Sequence, residues 1–116
     1  MEKTLTIDGK EIRFKTSAAL PRLYREIFKR DVFLDLNNAR ASIKGSKKVS
    51  AKDLPIDTLE IIENLAYCMA KYADPSIPED IIGWLDQFST TSIYMIAQDI
   101  LVMWNEEQRT QSRPKK

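Results

Sequence analysis

The sequence predicts an α+β domain, mainly helical, in which an N-terminal β-hairpin packs on about five helices. Three observations carry this. Lys3 to Lys15 alternates apolar and polar residues around Asp8-Gly9. Most of the remaining chain repeats its apolar residues at helical spacing. Between Leu54 and Asp74 those residues fill an arc wider than a surface helix needs against one neighbour, which marks a helix gripped from several sides.

In the hairpin, Leu5, Ile7, Ile12 and Phe14 point to one face. Asp-Gly is a favoured pair for a two-residue type I′ turn, because both central positions need positive φ. That turn sets Leu5 opposite Ile12, so pattern and register agree. A lone hairpin is marginal in water and needs helices beneath it.

Thr16-Ser17 offers a cap for a helix over Ala18–Lys29. Its stripe of Leu20, Leu23, Tyr24, Ile27 and Phe28 faces the core, with Arg22, Arg25, Glu26 and Lys29 outside. Arg22 and Arg30 each stand four residues from Glu26, a spacing that pairs charges on a helix. Asp31 caps a short helix from Val32 to about Ala41, with Val32, Phe33, Leu36 and Ala39 inward. The stretch Arg40–Lys52 holds five basic and no acidic residues around Gly45-Ser46, and reads as a mobile solvated loop rather than a nucleic-acid site, since it has no aromatic for stacking.

The central helix opens near Pro55 and stops at Asp74-Pro75. Its wet side is Asp57, Glu60, Glu63, Asn64, Tyr67, Lys71 and Asp74. The apolar arc includes Leu59, Ile61, Ile62, Leu65, Ala66, Met69 and Cys68, the single cysteine, which reads as a buried core residue. Pro78 begins a short helix to Phe88 that packs through Ile81, Ile82, Trp84, Leu85 and Phe88. Asp86 with Glu79 or Asp80 resembles a catalytic acid pair, but acids at a helix start favour the macrodipole, and that explanation is preferred. Thr90, Thr91 and Ser92 cap a last helix, Ile93 to about Glu107, with Ile93, Ile96, Ala97, Ile100, Leu101 and Trp104 inward. Met95 and Val102 fall on its wet side, either as incidental exposed residues or as a partner surface. Residues 1–107 read as one domain and 108–116 as a disordered basic tail.

Composition narrows the function. Among 116 residues there is no histidine, so the commonest general base and metal ligand are missing. The three glycines stand too far apart for a phosphate loop. No catalytic, metal-binding or cofactor-binding residue is predicted, and the chain reads as non-enzymatic. No run is long enough to span a membrane and the start lacks a signal peptide, which fits a reducing cytoplasm. Residues 1–52 carry 13 basic and 6 acidic side chains, a balance of +7. Residues 53–107 carry 1 basic and 11 acidic ones, or −10, and the last nine residues add +4. Such a contrast favours charge-guided contact, within the fold or head-to-tail between copies, with Arg22, Arg25 and Lys29 as candidate self-association residues.

Three segments in order resemble the tail assembly chaperones of long-tailed phages and prophages of Gram-positive bacteria. They are the TLTIDGKEIRFK hairpin, LPRLYREIFKRDVF, and LPIDTLEIIENLAYCMAKYADPSIP followed by IIGWLDQF. The likeness covers roughly residues 4–105. It implies an assembly factor that binds the tape-measure protein, helps recruit tail-tube subunits, self-associates, works in the host bacterial cytoplasm and is absent from the mature virion. It also implies that a programmed ribosomal frameshift extends some copies. Met95, Val102 and Trp104 are the candidate partner-binding residues, because a client helix with an exposed apolar stripe needs an apolar seam. The competing reading is a small structural virion protein, either a head–tail connector or a tail-completion protein.

Overall fold

The structure is a computed structural model that describes residues 1–44, 56–89, 91–92 and 97–112, with side chains for all of these but 39–44, 56, 57, 97, 98 and 107–112. Strands β1 (Glu2–Ile7) and β2 (Lys10–Lys15) form an antiparallel hairpin, followed by helices α1 (Leu20–Phe28), α2 (Val32–Lys44), α3 (Ile56–Ala73), α4 (Ile81–Leu85) and α5 (Ala97–Ser112). The fold is α+β and mainly helical, with the expected hairpin and five helices among the described residues.

The hairpin has the register its sequence demands. Leu5 pairs with Ile12, and Ile7 pairs with Lys10 to close a two-residue turn. Asp8 and Gly9 take φ of 54° and 78°, as a type I′ turn requires. Ile7 and Phe14 are buried, with Leu5 and Ile12 packed at the margin of the same core.

Helix α3 is the hub. It touches β2, α1, α2, α4 and α5, and seven consecutive residues centred on Cys68 show why: Leu65, Ala66, Tyr67, Cys68, Met69 and Ala70 are all essentially sealed from solvent, with Lys71 the first to emerge. Six buried residues in a row span every direction around a helix axis. Small Ala66, Cys68 and Ala70 let neighbours approach closely, while Leu65 and Met69 fill the space between them.

Several local expectations change in the folded chain. Helix α1 starts at Leu20, not Ala18: Pro21 occupies its first turn, and no side chain caps it. The Ser17 hydroxyl instead accepts the Ala19 N–H and pairs with the Tyr72 hydroxyl at 2.6 Å. Lys29 adopts a left-handed conformation and ends α1, so Arg30 leaves the helix surface. Only Arg22 pairs with Glu26, and Arg30 turns to Asp35.

Asp31 caps α2 as expected, accepting the N–H groups of Phe33 and Leu34. That helix runs on to Lys44, which makes Arg40–Lys44 helical; residues 45–52 of the basic stretch lie outside the described residues. Phe33 is half-exposed rather than inward. Tyr67, assigned to the wet side of α3, is buried because the chain after Asp74 folds back over it. Its hydroxyl donates to the Pro78 carbonyl at 2.6 Å. Ile82 is 66% exposed, since a helix of five residues has one inward face and Trp84 takes it. Helix α5 continues past Glu107 to Ser112, and Met103 joins Ile100 and Trp104 in the core.

The turn at Gly9 gives a clean test. A Cβ added there meets nothing within 4 Å, so Gly9→Ala carries only the conformational cost of the left-handed backbone. Stability is expected to fall by about 1–2 kcal/mol, read as a lower denaturant midpoint at unchanged slope.

Candidate functional site

Two kinds of feature compete for function: the side chains on the surface and a polar cluster beneath it. Of the candidate partner-binding residues, Val102 is 47% exposed and Trp104 is 2% exposed, while Met95 lies outside the described residues. Val102 and Trp104 therefore face different surroundings, although they are two residues apart. The indole of Trp104 lies under Phe33, with ring centroids 5.5 Å apart. Phe33 is the solvent-facing member of that pair and joins α2 to α5. Arg22, Arg25 and Lys29 all lie on the exposed side of α1. Arg22 also contacts Glu26, and the Lys29 ammonium donates to the Glu26 carbonyl.

The polar cluster spans the α1–α2 turn. Asp35 is buried, and its carboxylate accepts two bonds from Arg30, Nε at 2.8 Å and Nη2 at 2.7 Å, plus the Tyr24 hydroxyl at 2.8 Å. Burial by itself would raise the Asp35 carboxyl. The paired guanidinium and the phenol outweigh it and hold the group below its ordinary value of 3.8. Burial and then the adjacent carboxylate push the Tyr24 phenol up. Both Asp35 oxygens are engaged, Oδ1 by Arg30 and Oδ2 by Arg30 and Tyr24. Beside the cluster lies a cleft of about 600 Å³ lined by Phe28, Arg30, Asn38, Thr58, Glu60, Ile61 and Asn64.

The sequence reading missed this cluster, although a signal was present. Asp35 stands three residues after Val32 and one before Leu36, on the stripe that faces the core. An acid on an apolar stripe requires a donor, and Arg30 is five residues away.

Elsewhere, side chains of reactive type are bound into structure. Cys68 is buried, and desolvation pushes its thiol up to about 12, so it carries almost no thiolate at neutral pH. Asp80 caps α4 by accepting the Gly83 N–H. Lys71 donates to the carbonyls of Pro75 and Ile77 and to Glu79. Asp8 accepts from the Ser89 N–H and the Ser92 hydroxyl, anchoring the hairpin turn to the segment after α4. These bonds draw the Asp8 carboxyl below its ordinary value, the Ser92 hydroxyl being the largest cause. Among the described residues, no group of three or more acidic or cysteine side chains is placed to hold a metal ion, and no helix is long and apolar enough to cross a membrane.

Compared with protein-family models, curated proteins and solved structures, the chain matches none. Geometry and sequence therefore carry the functional reading.

Asp35→Ala leaves the Tyr24 hydroxyl buried without its acceptor and is expected to cost about 1.5–3 kcal/mol, measured by denaturant unfolding at pH 7. A depressed carboxyl stabilises the folded state above its unfolded value and loses that contribution as pH falls through the folded one. The gap between wild type and Asp35→Ala is accordingly expected to shrink below about pH 4.

Proposed function

We propose that this protein is a non-enzymatic tail assembly chaperone of a long-tailed phage or prophage, acting in the bacterial cytoplasm on the tape-measure protein and tail-tube subunits. The observation that carries the reading is the run from Leu54 to Phe88, whose likeness to that family is the most distinctive in the chain. Physical economy supports treating the run as a unit. Tyr67, Lys71, Asp74, Pro78 and Trp84 are the residues that lock α4 against the end of α3. The Asp74 carboxylate accepts from the Ser76 N–H and hydroxyl, and the Tyr67 and Trp84 rings pack edge to face, 5.6 Å apart. A sequence that keeps these residues together keeps this joint.

Exposed apolar side chains are the second support. Phe33, Leu34, Ile82 and Val102 remain substantially exposed, and a client helix with an uncovered apolar stripe gains most by burying such residues. Trp104 contributes from below, by holding Phe33 at the surface, rather than by touching the client itself. The self-association included in this reading draws on the basic outer face of α1.

Co-expression with the long, largely helical protein encoded downstream is expected to render that protein soluble and co-purify it. Val102→Asp is expected to reduce the recovered client while leaving the thermal transition of the chaperone within about 2 °C, the size expected of a surface change. An insoluble long protein, together with this chain in purified particles, would make it a structural virion component instead. Reversing the charges of Arg22, Arg25 and Lys29 is expected to weaken self-association several-fold at about 0.05 M salt and little at 0.5 M, as measured by light scattering.

A further inference from the structure

The cleft beside the Asp35 cluster takes no part in the proposed function. It holds about 600 Å³ between the end of α1, the middle of α2 and the first half of α3. That volume suits a small ligand, for which clefts of about 300–1,000 Å³ are usual. Such clefts are mostly apolar, whereas five of the seven residues lining this one, Arg30, Asn38, Thr58, Glu60 and Asn64, carry hydrogen-bonding or charged groups. A polar occupant fits these walls, and the charges around it decide its sign.

Arg30 is neutralised where it stands, because its Nε and Nη2 bond the Asp35 carboxylate. Helix α1 ends beside the cleft at Phe28, and the first turn of α3 reaches it at Thr58. The opposite dipole ends of these two helices offset one another. Glu60 is left over. Its side chain is exposed, and it belongs to none of the four ion pairs among the described side chains. It nevertheless stands near enough to Arg30 to add to the field there. The lining therefore carries a net negative charge. The same cleft offers neutral acceptors in the Asn38 and Asn64 amide oxygens and the Thr58 hydroxyl, and the half-buried Phe28 brings a ring whose face attracts cations.

We propose that this cleft binds an organic cation, a guanidinium or primary ammonium group. The Glu60 carboxylate balances its charge, the oxygens of Asn38, Thr58 and Asn64 accept its N–H groups, and the Phe28 ring forms its apolar wall. A hard metal ion is poorly served, since one carboxylate does not replace the water such an ion must shed. Guanidinium is favoured over ammonium because it is planar, more weakly hydrated and able to stack on a ring. The group can come from a small free molecule or from a basic side chain of a bound polypeptide. The site does not depend on the chaperone reading.

The test is an NMR titration of the isotopically labelled full chain with ethylguanidinium, butylammonium and sodium chlorides at matched ionic strength. Ethylguanidinium is expected to shift the resonances of Phe28, Asn38 and Asn64 with a dissociation constant on the order of 1–10 mM. Butylammonium binds more weakly and sodium leaves these signals in place. Glu60→Gln is expected to weaken binding about fivefold. Glu63→Gln removes the same charge from α3 outside the cleft and is expected to change it less than about twofold. Asn38→Asp adds a second carboxylate and is expected to tighten it. The spectra themselves report whether each variant is folded. The peptide acetyl-Gly-Arg-Gly-amide separates the sources: tighter binding than ethylguanidinium supports the site with a polypeptide side chain as occupant, and equal or weaker binding supports it with a small free molecule. Absent shifts, Glu60→Gln binding as wild type does, equal losses in the two glutamine variants, or acetate or phosphate moving these resonances in place of the cations overturns the proposal. A failed titration counts against this site alone, and an insoluble client counts against the chaperone reading alone.

Discussion

The burial of α3 from every side is the constraint on which the rest of the molecule depends. A helix with Leu65, Ala66, Tyr67, Cys68, Met69 and Ala70 all sealed cannot exist alone in water, because its apolar surface exceeds what one neighbour can cover. Each other element is in effect a wall. The hairpin supplies Ile7 and Phe14, α1 supplies Leu20 and Tyr24, α2 supplies Val32 and Leu36, and α5 supplies Ile100, Met103 and Trp104. The marginal elements, a two-stranded sheet and a five-residue helix, persist only because this hub gives them a surface to pack on.

A line of rings shows how the walls are joined. Tyr24, Phe28, Tyr67, Trp84 and Phe88 follow one another at centroid separations of 5.0, 6.3, 5.6 and 5.1 Å, running from α1 across α3 to α4 and the turn beyond it. Lys10 reaches the far end, donating to the Gln87 carbonyl. Residues as far apart in sequence as Tyr24 and Phe88 are thereby held by one seam of rings. The buried Asp35 cluster works differently. It fixes the angle between α1 and α2 through directional bonds, where apolar contact alone would leave that angle loosely specified. Both oxygens of its carboxylate are held by Arg30 and Tyr24, which is why it reads as architecture and not as chemistry.

The same economy is why the proposed function is placed at the surface. Acids beside helix ends and turns are spent on the backbone: Asp31, Asp74 and Asp80 each accept a backbone N–H. On the outside, among the described residues, stand charge and a few exposed apolar side chains. Those are the means of recognition between proteins, where complementary rims guide encounter and buried apolar anchors hold the complex.

Much of this was legible in the chain. The hairpin register follows from alternation and Asp8-Gly9, the hub from the width of the apolar arc, the α2 cap from Asp31, and the fate of Cys68 from its place in that arc. Each depends on residues close in sequence, where spacing alone decides direction. Tertiary structure decided the rest. Tyr67 is buried because a segment beginning seven residues later folds over it, and Ile82 is exposed because one short helix has room for a single inward face. Arg30 serves Asp35 rather than Glu26 because Lys29 turns left-handed and ends the helix between them. Periodicity tells a side chain's direction from its own axis; what waits in that direction is set by elements whose placement no local spacing encodes.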